Sequence, residues 1–334
     1  MTDTLQPAER AASPAAIVDI AIGFMGAKQL ITASRIGLFA ALADGPLDAE
    51  ALAAATGVPQ RQVRILADSM NAQGLLEREG GRYSLTPDAA AYLTGDRAEI
   101  DLGPFLAFLG DTSYEQWRGY DRTVDSDAPG VLELDEAGWG RFLAGVMRYN
   151  ELHADEFARA FDVTGRRSLL DLGGLSPAFA VNVMRANPEL TTRFVVAPDF
   201  ADSVAQAVAE AGLADRAVVE GGDTESVEPG GEHDLVFVNH VLHRFTAEQN
   251  RAILANARAA AAPGAKLAVL DFTLDDEPRQ RRIDALHAGE YYNIDGTVVF
   301  PEAEVREWLE GAGWRYVETI ALPGSPRILV AEAR

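Results

Sequence analysis

An apolar run, Ser168-Leu169-Leu170-Asp171-Leu172, passes directly into Gly173-Gly174-Leu175-Ser176-Pro177, and a helical segment follows over 180–186. A strand, an acid, paired glycines and a helix in that order is how a parallel α/β sheet presents backbone N–H groups and a helix N-terminus to a ligand. Glycine is needed there because the chain must approach closely and take backbone angles that other residues avoid. Leu175 and Pro177 stand where further glycines are expected. They add bulk and remove a donor at the closest approach. Ser176 and Pro177 suit N-cap and first-turn positions, so the helix is expected to start normally.

From Arg167 onward the pattern alternates between strand and helix. Strands are predicted at 168–172, 193–196, 217–220, 235–238, 266–270 and 328–331, with Pro263-Gly264 as a turn and a helix over the Ala-rich 252–262. This spacing predicts an α/β fold with a Rossmann-like doubly wound sheet and an antiparallel strand near the C-terminus. The N-terminal part reads differently. Apolar residues recur at helical spacing from Ile17 to Leu42. Two short helices then flank Thr56-Gly57-Val58, and a hairpin turns at Gly80-Gly81. That is a winged-helix layout, read as a dimerisation domain over 1–96. A helical, aromatic-rich linker and pocket segment follows over 97–165, with a loop at 125–130, and the Rossmann-like domain occupies 166–334.

Composition narrows the function. A formal charge of −22 over 334 residues argues against nucleic acid or an anionic membrane as partner. No cysteine is present, which excludes disulfides and thiolate chemistry. Residues 1–10 are polar and do not read as a signal peptide, and the apolar segment 16–42 reads as buried or interfacial helix because Asp19, Lys28 and Arg35 interrupt it. A cytoplasmic enzyme with a small-molecule substrate fits these limits.

The chain resembles the class I S-adenosylmethionine-dependent O-methyltransferases that act on phenols and polyketides. The resemblance rests on Gly37-Leu38-Phe39 and Tyr83-Ser84-Leu85-Thr86 in the N-terminal domain. Further on it rests on Leu170-Asp171-Leu172-Gly173-Gly174, Arg185-Ala186-Asn187-Pro188, Ala211-Gly212-Leu213-Ala214-Asp215-Arg216, Gly222-Asp223 and His240-Val241-Leu242-His243. The last part is a C-terminal helix carrying Glu307-Trp308-Leu309 and Ala312-Gly313-Trp314. It implies a homodimer through the N-terminal domain. It also implies cofactor contacts at Asp171, Gly173, Gly174 and Asp223, and His243 as the base that deprotonates the substrate hydroxyl, a task imidazole suits near neutral pH.

The chain departs from that family at the cofactor. Ala197 replaces the acid that binds ribose, with Asp199 two residues on, Asn239 precedes the base segment, and Arg244 follows the base where an acid is usual. Losing a carboxylate with two charge-assisted hydrogen bonds costs on the order of 3 kcal/mol, about a hundredfold in affinity. The cofactor expectation is therefore none, or weakly bound S-adenosylmethionine. Arg244 joins His243 as a catalytic candidate, disfavouring a charged imidazole if close or binding a substrate anion.

Trp117, Phe142, Met147, Tyr291, Tyr292 and Asn293 are the candidate substrate wall, within a wider aromatic set that includes Phe105, Phe108, Tyr114, Tyr120, Trp139 and Tyr149. His240 and His243 lie three apart, but no acidic or cysteine pattern accompanies them, so no metal is expected. The leading functional expectation is a natural-product tailoring enzyme that has left methyl transfer for cofactor-independent work such as cyclisation, a pericyclic step, dehydration or isomerisation. The alternatives are a functional O-methyltransferase and a non-catalytic partner subunit.

Overall fold

In the computed structural model, which describes residues 12–226, 228–276 and 278–334, the chain divides into two compact units, one ending at Gly110 and one spanning Asp111–Arg334. The expectation about residues 1–10 lies outside the described residues.

The first unit begins with a helix, Ala15–Arg35, and a short one, Leu38–Ala41, after Gly37 at φ +74°. Strand β1 (Leu47–Asp48) leads into helix Ala49–Thr56, where the Asp48 carboxylate accepts the Ala51 N–H at 2.9 Å and caps an otherwise unsatisfied donor. Helix Gln60–Ala72 follows. Then β2 (Leu76–Glu79) and β3 (Arg82–Leu85) pair antiparallel across Gly80-Gly81, both at positive φ, in a three-stranded sheet ordered β1-β3-β2. The winged-helix layout is present as read. Of the two readings of the long helix, buried or interfacial, the buried one is not met: only Ala33 of the helix is buried, while Ile17, Ile20 and Phe24 are 72%, 80% and 54% exposed. By length and composition it is apolar enough to cross a membrane.

The second unit opens with short helices and a 25-residue helix, Glu136–Ala160, capped by Asp135. The sheet comprises β4 (Ser168–Leu172), β5 (Thr191–Val196), β6 (Ala217–Gly221), β7 (His233–Asn239), β8 (Ala261–Asp271), β9 (Trp314–Ala321) and β10 (Arg327–Ala333). Their order is β6-β5-β4-β7-β8-β10-β9, parallel except for β10, which runs antiparallel to both neighbours. The chain moves outward from β4 to β6, then returns to β7, so the crevice between the C-terminal ends of β4 and β7 is the topological switch point.

Alternation along each strand divides the core. Leu235 and Phe237 of β7 pack with Phe157, Phe161 and Phe179 on one face. Val236 and Val238 pack with Leu254, Trp308 and Trp314 on the other. Three local expectations change. Pro263-Gly264 lies within β8 as an irregularity in its pairing with β7, because Gly264 takes φ +73° without ending the strand. The Ala-rich helix ends at Ala259, and Ala261 already belongs to the sheet. Trp314 starts β9 instead of closing the C-terminal helix, which ends at Gly311.

Candidate functional site

Strand β7 ends at Asn239, and the next residue, His240, takes the left-handed conformation at φ +54°. Such a backbone angle is uncommon outside glycine and marks a position held by its surroundings. The His240 N–H still donates to the Leu270 carbonyl at 2.8 Å, closing the ladder with β8. A 3-10 turn, Leu242–Arg244, then folds His243 back over the end of β8, where Asp271 is the last residue. Both carboxylate oxygens of Asp271 lie 3.0 Å from His243 Nδ1, and Oδ2 also accepts the His243 backbone N–H at 3.3 Å. Burial alone pushes the Asp271 carboxyl up, but His243, through its charge and hydrogen bonds, outweighs that and the net direction is down. Asp271 is therefore an ionised acceptor, and it was not singled out from the sequence. Its only signal there is an acid ending an apolar strand, Leu267 to Leu270.

Around this pair lie further aromatic and imidazole rings. The Tyr291 ring lies tilted against His243 with ring centres 4.6 Å apart, and burial drives its hydroxyl well above the usual range, so it remains protonated. His287, one helical turn earlier, lies flat on Phe272 at 3.8 Å. His153, from helix Glu136–Ala160, places Nδ1 2.9 Å from His240 Nε2. Burial holds His153 well below the ordinary histidine value and brings His240 down to about 3, so both are neutral.

Among the described residues Arg244 pairs with no carboxylate at hydrogen-bond distance. Its Nε donates to the His240 carbonyl at 3.0 Å, and its Nη2 donates to the Gly173 carbonyl. Burial lowers it to about 10, with Asp271 pulling the other way. Beside the larger effect of burial, Arg244 reduces the basicity of His240.

The glycine turn has the form read from the sequence. Gly173 sits at φ +78°, and a Cβ there would fall 2.4 Å from Thr224 Cγ2; at Gly174 it would fall 2.8 Å from Asp171 Oδ1. Asp171 is buried with Oδ1 lacking any hydrogen-bond partner, and burial raises its carboxyl to about 7. Asp199, in the turn Pro198–Phe200 after β5, and Asp223, just after β6, are both exposed. A buried carboxylate oxygen without a partner among the described residues, beside two close-packed glycines and with exposed carboxylates after the next two strands, fits a cofactor carrying an ammonium group, ribose hydroxyls and an adenine amine. Ala197 contributes no acceptor, so Asp199 is the nearest substitute. Helix Ala178–Ala186 starts at Pro177 as N-cap, and Ser176 Oγ accepts the Ala178 N–H at 3.4 Å.

The expected substrate wall is only partly assembled around His243. Tyr291 touches it, whereas Trp117 meets the same helix, Arg282–Asp295, one residue earlier: its indole N–H donates to Glu290 Oε2. Burial raises the Glu290 carboxyl against the opposing effect of hydrogen bonds from Ser113 and Trp117. Asn293 is buried and ties that helix to Thr123, whose hydroxyl donates to Asn293 Oδ1 at 3.2 Å; this is a structural bond. Tyr292 gives its carbonyl to the Gly130 N–H at 2.9 Å. Phe142 packs edge-on against Trp139 at 5.4 Å, and Met147 is half-buried on the long helix. Sequence reasoning missed Glu290, His153 and His287. His240, His243 and Asp271 also bring three donor atoms within 4.8 Å of one another, the acidic partner that the sequence pattern lacked.

The sequence pattern of the O-methyltransferase domain matches residues 112–315, and that of the O-methyltransferase dimerisation domain matches 18–95. The chain is 28% identical to the 3-hydroxy-5-methyl-1-naphthoate 3-O-methyltransferase of Streptomyces sahachiroi, covering 93% of each chain. It is 29% identical to the tetracenomycin polyketide synthesis 8-O-methyl transferase TcmO of Streptomyces glaucescens, covering 98% of each. In fold it is similar to CalO1, a methyltransferase in calicheamicin biosynthesis solved in its S-adenosylhomocysteine-bound form, with TM-score 0.83 at 20% identity over 98% of this chain and 100% of that one. The expectation of a chain with no cofactor gains no support from these relatives.

Proposed function

Because the chain belongs to the O-methyltransferase family, we propose that it methylates a hydroxyl on an aromatic, polyketide-type metabolite, with His243 as the base. The observation that carries this reading is the His243–Asp271 pair. A buried carboxylate against Nδ1 keeps the proton on that nitrogen, which leaves Nε2 as the free acceptor for a substrate hydroxyl proton. The negative charge of Asp271 then stabilises the imidazolium formed as the oxygen attacks. Tyr291 offers an aromatic wall against the imidazole, suited to a flat substrate.

Asp171, Gly173, Gly174, Asp199 and Asp223 would hold S-adenosylmethionine, which when bound supplies an electrophilic methyl group. A homodimer through the first unit accounts for the uncovered apolar face of helix Ala15–Arg35. A cytoplasmic location accords with the acidic, cysteine-free composition.

A second reading, proton chemistry without the cofactor such as cyclisation or dehydration, is favoured by one contact. The Arg244 guanidinium occupies the Gly173 carbonyl in the glycine turn. Calorimetry with S-adenosylhomocysteine, joined to product mass analysis, separates the two. Micromolar binding and a methylated product support methyl transfer. Absence of binding, with turnover that His243→Ala abolishes, supports the second reading. Turnover indifferent to His243→Ala sinks both.

A further inference from the structure

Four of the five histidines of this chain gather near the ends of β7 and β8: His153, His240 and His287 against Phe272, and His243 against His240. We propose that His240, His243 and Asp271 form a binding site for a divalent transition metal of the zinc type, and that occupying it switches off the base. This rests on the reading of His243 as the base.

The donor set and its spacing come first. One atom from each of the three side chains lies within 4.8 Å of the others, and the His243–Asp271 edge is 3.0 Å. Zinc bound at its usual distances to nitrogen and oxygen places neighbouring donors roughly 3.3 Å apart in a tetrahedron. The His243–Asp271 edge therefore already has the right scale, and His240 has to move inward by on the order of 1 Å, within reach of side-chain rotation. Two imidazoles and one carboxylate select zinc, cobalt, nickel or iron over magnesium or calcium, which prefer all-oxygen sites.

The support behind His240 is the second observation. Its Nε2 is held by His153 Nδ1 at 2.9 Å, so Nδ1 is the nitrogen left for a metal. Ligating imidazoles are commonly fixed in this way through their other nitrogen. The backbone of His240 is held as well, by its N–H to Leu270 and its carbonyl to Arg244. Arg244 brings a like charge that weakens binding, and the Asp271 carboxylate offsets it. Three protein ligands leave a position for water.

The consequence for the base follows from the tautomers. A metal on His243 Nδ1 displaces the proton from that nitrogen. A neutral, metal-bound imidazole then carries its proton on Nε2 and has no lone pair for a substrate hydroxyl.

The test uses the tag-free full chain stripped with chelator, titrated with Zn2+ by calorimetry and with Co2+ by visible absorption. Wild type is expected to bind one equivalent and to show the absorption bands of four-coordinate Co2+. His240→Gln, which retains a hydrogen-bonding group toward His153, is expected to bind about tenfold or more weakly. Turnover is expected to fall with Zn2+ and recover with chelator, while His240→Gln turns over normally and resists zinc. Absence of stoichiometric binding, equal binding by His240→Gln, or full turnover at saturating Zn2+ overturns the proposal. Should His240→Gln not fold, Asp271→Asn read by calorimetry takes its place. The metal titrations need no turnover, so failure of the methyl-transfer reading leaves the proposed metal site testable.

Discussion

Replacing Asp271 with asparagine tests the core of the proposed chemistry with almost no change of volume. The two carboxylate oxygens serve different backbone donors: Oδ1 accepts the Phe272 N–H at 3.0 Å, and Oδ2 accepts the His243 N–H at 3.3 Å. An amide has only one oxygen, so whichever way it is turned its NH2 opposes one of those donors. Keeping the shorter bond to Phe272 aims the NH2 at His243. That NH2, 3.0 Å from Nδ1, favours the tautomer in which Nδ1 accepts and the proton sits on Nε2, the wrong one for a base. Loss of one charge-assisted hydrogen bond is worth about 1.5–3 kcal/mol, which converts to roughly ten- to two-hundredfold in rate. The tautomer change lies on top of that. In a methyl-transfer assay kcat/KM is therefore expected to fall by about a hundredfold or more, while affinity for S-adenosylhomocysteine stays near wild type. Activity within threefold of wild type would refute the view that Asp271 sets the state of His243.

Three further outcomes are expected. Acid should unfold the protein early: His240 titrates near 3 in the fold against an ordinary 6.5, and His153 is also lowered. Stability is thus complete above pH 6.5 and is lost as pH falls toward 3, by about 2 kcal/mol from His240 alone at pH 5; denaturant midpoints that do not change between pH 7 and pH 5 would contradict this. Asp171→Asn should weaken S-adenosylhomocysteine binding about tenfold yet raise the denaturation midpoint at pH 8. The folded carboxyl is raised to about 7, so ionising it there costs on the order of a few kcal/mol, a cost that grows above pH 4 and levels off past pH 7; equal stability of the two forms at pH 8 would count against a strained buried carboxylate. Ile20→Asp with Phe24→Asp, on the exposed face of helix Ala15–Arg35, should convert a dimer to monomers in size-exclusion chromatography; an unaltered elution volume would place the dimer contact elsewhere.

The sequence alone determined much of this protein, because periodicity and glycine chemistry are local. Gly173-Gly174 after an apolar run marked the turn, and the structure gives both glycines a steric reason. The six strands read from the alternating pattern all exist. β1 and β9 were missed: β1 is two residues long and runs straight into a helix, while β9 lacks strict alternation, with Arg315, Val317, Glu318 and Ala321 exposed, and its first residue, Trp314, after Gly313, reads equally well as a helix end. His243 was legible from its motif.

What made His243 a candidate base was decided only in three dimensions. Asp271 lies 28 residues away and meets it because β7 and β8 pair in parallel with Asn239 opposite Leu270. His153 reaches His240 across 87 residues, and Arg244 reaches Gly173 across 71. Sheet pairing is non-local: hydrophobic alternation says that a strand exists and which face it buries, but not which acid ends up at the tip of its neighbour.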